Sequence, residues 1–151
     1  MRKPLIVLAT LAACLLAAAV ALASTQTIHD PNHDSKSDVD LKSATVDYDG
    51  TTLTFTVRTY NHPGHGAGGG CIELTHQVFI GCFGNKATTP SGDQFSVKVK
   101  RQGKVTTFSF KASKLGNPVP GSIHWRAAFL EEDQPADAIP NKGYKKFKLT
   151  A

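Results

Sequence analysis

The chain has 151 residues, 40% hydrophobic and 19% charged, with a formal net charge of +5. That length suits one domain, since domains run to about 100–200 residues. The apolar fraction is too high for a disordered chain, and 13 Gly with 8 Pro and no period exclude a collagen-like one.

Met1-Arg2-Lys3 is a short basic start, and Pro4 to Ala23 is an apolar run ending Ala21-Leu22-Ala23 before the polar Ser24-Thr25-Gln26-Thr27. Basic start, apolar middle and small-x-small end are the three parts of a secretory signal peptide. Residues 1–23 are therefore expected to be removed. Two other readings compete. Leu5–Ala23 approaches the length of about 20 residues that spans a bilayer, but its Ala-rich composition is only weakly hydrophobic. Leu11-Ala12-Ala13-Cys14 fits a lipoprotein box that would lipidate Cys14, but Leu15–Ala23 would then stay on the mature protein as a further apolar run. We adopt soluble export, with no stable membrane insertion once the signal is gone.

Removing Arg2 and Lys3 lowers the net charge from +5 to +3, too mild for a nucleic-acid partner. The sign is unevenly spread: residues 24–50 carry a net −4 and residues 51–151 a net +7. With Cys14 lost to processing, Cys71 and Cys82 remain. Two thiols in an oxidising compartment most simply form a disulfide.

After an acidic lead-in over residues 24–41, period-two alternation dominates residues 42–151. Ala44, Val46 and Tyr48 alternate with polar residues up to Asp49-Gly50, a hairpin signal. Leu53, Phe55 and Val57 lie on one face of the return strand. Residues 61–70, with five Gly and a Pro, read as a loop. Cys71–Gly84 resumes a β-like pattern. Residues 85–92 read as a loop, and Phe95, Val97 and Val99 turn at Gln102-Gly103 and are answered by Thr106, Phe108 and Phe110. Residues 111–120 read as one helical or tight turn. Ile123, Trp125, Ala127 and Phe129 then form the clearest buried face, residues 131–143 a long acidic loop, and Phe147 with Leu149 a closing strand. The expected fold is an all-β, antiparallel sandwich of seven or eight strands, immunoglobulin-like or jelly-roll-like, with one disulfide.

Sequence signatures of catalysis are few. Gly64-His65-Gly66-Ala67-Gly68-Gly69 matches G-x-G-x-x-G, but Gly70-Cys71-Ile72 begins a strand where the dinucleotide fingerprint needs a helix. The Asp-rich segment is the first site of interest. Ca2+ takes six to eight hard oxygen ligands, and Asp30, Asp34, Asp40 and Asp137 are the carboxylates expected to hold such an ion. Against this stands a solvated lead-in whose Asp side chains make turn bonds. Histidine offers a second: His29 with His33, and His62 with His65, have spacings that can share Zn2+ or Cu2+. A third is a ring for stacking sugars. Trp125 falls in phase with the core, which leaves Tyr60 beside the His/Gly loop as the better-placed ring.

With these residues in view, the sequence resembles a group of small exported actinobacterial proteins. The features that carry the likeness are Asp30, Asp34, Asp38 and Asp40 before Leu41, the segment Phe108 to Gly116, Ile123-His124-Trp125-Arg126, and Ala136 to Gly143. The layout is similar to DOMON-like and type 9 carbohydrate-binding sandwiches, and that resemblance implies a module that binds Ca2+ near the chain ends, haem or sugars. Met1 is the only Met, so a Met haem ligand does not survive processing. The sequence departs from the group in its His/Gly loop and its Cys71/Cys82 pair.

The sequence thus predicts an exported, non-catalytic binding module whose partner is an extracellular glycan, an envelope component or a protein. Tyr60, His62 and His65 are the expected ligand surface and Ca2+ the cofactor to which the acidic segment points. The alternative is a small Zn- or Cu-dependent extracellular enzyme, or a metal-binding protein, using loop His and Asp residues.

Overall fold

The computed structural model describes residues 23–150 except 31–34, 36–38, 62–69, 76–77, 83, 90 and 132–133; at 131, 134 and 135 it describes only the backbone. Among these residues twelve strands are formed: β1 (Ser24–His29), β2 (Leu41–Tyr48), β3 (Thr52–Thr59), β4 (Cys71–Leu74), β5 (Val78–Ile80), β6 (Lys86–Thr88), β7 (Gln94–Ser96), β8 (Lys98–Gln102), β9 (Val105–Lys111), β10 (Ser122–Glu131), β11 (Gln134–Ile139) and β12 (Lys145–Lys148). Ala112–Leu115 makes one short 3-10 turn.

The strands form two antiparallel sheets. One has the order β1-β2-β3-β9-β8; the other runs β11-β10-β4-β5-β6-β7, with β12 also paired to β10. The all-β antiparallel sandwich is the architecture that the period-two alternation implies. Its strands outnumber the expected seven or eight because several lie in segments whose composition hides them. Residues 24–29, read as acidic lead-in, form β1 and pair along their whole length with β2. Residues 86–88 and 134–139, both read as loop, form β6 and β11.

Alternation explains the two layers. On β3 the residues Leu53, Phe55 and Val57 are fully buried, while Thr52, Thr54 and Thr56 face outward. From the opposite sheet Ile72, Ile80, Trp125 and Ala127 are equally buried, so the two inner faces interdigitate as sandwich sheets do. Phe55 sits near the centre, its ring centroid 5.5 Å from Trp125 in a tilted pair and 6.2 Å from Phe110. Such offset and tilted pairs are favoured by the ring quadrupole.

The β2–β3 hairpin turns at Asp49-Gly50. Gly50 takes a positive φ of 91°, and the Asp49 carboxylate caps the turn by accepting the Thr51 and Thr52 N–H groups at 2.9 and 2.6 Å. On the outer face of this sheet, hydroxyl groups link neighbouring strands: Thr25 donates to Asp47 at 2.6 Å, and Thr27 meets Thr45 at 2.9 Å.

Cys71 and Cys82 form the expected disulfide, with Cα atoms 4.7 Å apart. It joins the open ends of the β4–β5 hairpin. Immediately before Cys82, Gly81 holds a φ of +71°, and a Cβ there would collide with the ring of buried Phe108. Glycine is required at this position twice over, by dihedral angle and by space.

Gly81→Ala is therefore expected to cost roughly 2–4 kcal/mol, combining overpacking with the left-handed penalty. Gly84→Ala, at φ +88° with nothing within 4 Å of the added carbon, meets only the dihedral penalty of about 1–2 kcal/mol. Urea midpoints of the two variants check the difference; equal losses would contradict the contact with Phe108.

Candidate functional site

Two ends of the sandwich gather chemistry. At the end reached by the close of β1 and the start of β2, Asp30 and Asp40 are 2% and 5% exposed. Asp137 on β11 joins them, 8% exposed, and its Oδ2 accepts the Leu41 N–H at 2.7 Å across 96 residues of sequence. That bond ties one sheet to the other. Burial pushes the Asp137 carboxyl up from its ordinary 3.8, the Leu41 and Ala138 N–H groups oppose this, and the charges of Asp30 and Asp40 add to the rise. Three of the four carboxylates expected to hold Ca2+ thus share one end of the fold, close enough to act on one another. The fourth, Asp34, lies outside the described residues. Among the described residues no group of three or more His, Cys, Asp or Glu side chains is placed to hold a metal ion.

Tyr60 follows β3 at this same end. Its hydroxyl donates to the Asp30 carbonyl at 3.1 Å, its N–H donates to the Asp40 carbonyl at 2.8 Å, and Lys42 Nζ lies 5.4 Å from the ring centroid. The ring is half-buried and fastens the residues around Asp30 and Asp40 to β3, with one face occupied by the lysine. His62 and His65, its expected companions, lie outside the described residues, as do His33 and His76. His29 and His124 are exposed, on β1 and β10. Trp125 is fully buried, as its phase with Ile123 and Ala127 implies.

The opposite end of β10 borders an open groove of about 420 Å3. It lies between the start of β10, the β4–β5 turn and the segment after the 3-10 turn. Leu74, Val78, Leu115, Pro120 and Ile123 line it with apolar surface; Thr75, Ser122 and His124 supply polar groups. The Thr75 N–H donates to the His124 carbonyl at 3.0 Å and fixes one wall to the other. Val119, beside Pro120, is 37% exposed, so apolar surface continues past the rim. A mostly apolar depression of a few hundred Å3 with a few polar groups is the usual form of a small-ligand site. Sequence reading missed it, because its walls come from segments some 40 residues apart in the chain, and segment 112–120 reads only as a turn.

A second feature unseen in the sequence lies on the outer face of the second sheet. Glu73 on β4 is 8% exposed, pairs in register with Arg126 on β10, and accepts from Arg126 Nε at 2.7 Å and from the Tyr144 hydroxyl. The guanidinium stacks 5.0 Å from the Tyr144 centroid. Burial and the bond to Glu73 push the Tyr144 phenol up. The three groups satisfy one another, which is what a carboxylate buried there requires. The one available signal was Glu73 as the lone acid in the apolar run 71–80.

No family model, no curated protein and no solved structure matches the chain. Among the described residues no helix is long and apolar enough to cross a membrane; residues 1–22 lie outside them.

Asp137 yields a prediction with a defined sign. Asp137→Ala leaves the buried Leu41 N–H without its acceptor and is expected to cost about 1–3 kcal/mol. Asp137→Asn keeps an acceptor and removes the charge. Because the folded-state pKa is raised, wild-type stability carried by this group is present below 3.8 and is lost as pH climbs through the raised value. The Asn variant escapes that loss, so it should match or exceed wild type at neutral pH and forfeit the advantage in acid. Denaturant midpoints across that range test this; an Asn variant that gains stability relative to wild type as pH falls would refute it.

Proposed function

We propose that this chain is an exported, non-catalytic binding module that takes an extracellular ligand in the groove at the start of β10. The observation that carries this reading is the groove's composition: an apolar lining from Leu74, Val78, Leu115, Pro120 and Ile123, with Thr75, Ser122 and His124 placed to orient what enters. The glycan, envelope component or protein expected from the sequence are all extracellular partners, and the Cys71–Cys82 disulfide suits that compartment. The acidic end has a mechanical role in this reading, since Asp137 and Tyr60 use their hydrogen bonds to fasten strands. The ligand surface moves from Tyr60 to the groove because the Tyr60 hydroxyl is engaged and its ring is partly covered.

Thermal-shift measurements of the secreted protein against soluble glycans and short amphiphiles are the test. At least one class should raise the melting temperature of wild type and leave a Leu115→Asp variant unmoved, since a carboxylate there places a charge on the apolar lining. Stabilisation that survives Leu115→Asp, or none at all, would sink the groove as the ligand site.

Native mass spectrometry of the same material tests the export reading. It should find a chain starting at Ser24, lighter by the two hydrogens lost to the disulfide. A chain retaining residues 1–23 or carrying lipid on Cys14 would refute soluble export, and mass that falls on adding a chelator would return a cation to the acidic end.

A further inference from the structure

The segments beside the groove are rich in lysine. Lys148 and Lys146 on β12 stand directly opposite Ser122 and His124 on β10, and cross-strand partners on one face hold their Cβ atoms about 4.5–5.5 Å apart. Both lysines are exposed. Lys114 precedes Leu115 in the 3-10 turn and is exposed as well. Residues 111–130 and 138–151 contain no Asp or Glu. Glu73 on β4, the acid nearest in the sheet, already accepts from Arg126 and Tyr144. Lys146 and Lys148 thus stand one strand away from the groove residues Ser122 and His124, Lys114 adjoins the lining residue Leu115, and the segments that carry the three lysines hold no Asp or Glu.

We infer that the groove binds a small amphipathic anion, an aliphatic chain ending in a single carboxylate, with the chain against Leu115, Val78 and Ile123 and the carboxylate toward Lys146 and Lys148. This deepens the proposed function and rests on the groove being the ligand site. Apolar burial drives the chain in without regard to charge. The ammonium groups then choose among ligands of equal chain length, because charge-assisted hydrogen bonds exceed neutral ones in strength. Affinity should fall with added salt, since the lysines are exposed and screened.

Octanoate and octanol separate the two contributions, having the same chain length and differing in the head group. Calorimetric titration of the secreted, disulfide-bonded protein should find octanoate bound about tenfold more tightly or better, the ratio expected of a charge-assisted contact. A Lys146→Gln/Lys148→Gln variant changes only exposed side chains. It should bring octanoate down to the affinity of octanol and leave octanol unchanged. Leu115→Asp should abolish both. Equal binding of the two ligands to wild type, lost in Leu115→Asp, would overturn the anion preference and leave the groove as a ligand site. Failure of both ligands to bind, with a glycan stabilising the protein through the groove in the thermal-shift test, would overturn the anion alone. A preference for octanoate that persists in the double lysine variant would also overturn the assignment.

Discussion

Trp125 is the largest fully buried side chain in the molecule's described core, and its indole N–H must find an acceptor inside the sandwich. Gln26 supplies it: Oε1 accepts the Trp125 Nε1–H at 2.9 Å, and the other end of the same amide donates to the Lys146 carbonyl at 3.1 Å. One side chain on β1 thus joins the edge of the first sheet to two strands of the second. Ser24 adds a longer bond to the Lys148 carbonyl at 3.4 Å. Without this strand the indole would keep its apolar packing against Phe55 and lose its polar partner, an imbalance worth about 1–3 kcal/mol. The side of the sandwich along β1 and β12 closes around this amide. Farther along, the Leu41–Asp137 bond between β2 and β11 closes it again.

What could be seen in the sequence follows the range of the forces involved. The alternation in residues 44–60 and 122–129 marks strands because each buried face is written locally, and the Asp49-Gly50 turn is a local signal too. The disulfide followed from cysteine count and compartment. β1 was hidden, since Ser24–His29 holds a single apolar residue, Ile28, facing the core; its existence depends on pairing with β2. β11 was hidden by Pro135, which belongs on an edge strand where no N–H is needed on the open side. The acidic end was half legible. The residues were named, but their burial depends on pairings that span most of the chain. Glu73, Arg126 and Tyr144, like the groove, arise wholly from tertiary placement.

The charge asymmetry changes meaning when the chain is folded. In sequence it divides an acidic start from a basic remainder. In space, β10 runs from Ser122 and His124, paired with Lys148 and Lys146, to Phe129, paired with Asp137. Its two ends therefore face opposite electrostatic conditions. At one, Asp30 and Asp40 act on an Asp137 carboxylate held by the Leu41 N–H; at the other, two lysines lie one strand from apolar surface. A polar fold of this kind orients an approaching charged molecule before contact.

Among the described residues, the strand at the far edge of the first sheet, β8, has no neighbour on its outer side. Its residues Lys98, Lys100, Arg101 and Gln102 are all exposed. An open edge is a template on which another chain can add a strand, and lysines there are a recurring defence. Two molecules approaching edge to edge along β8 would set cation against cation over the length of the strand. The opposite edge strand, β1, is fastened to the second sheet by the Gln26 and Ser24 bonds to β12. Edge-to-edge strand addition through β8 is thereby resisted in a crowded medium.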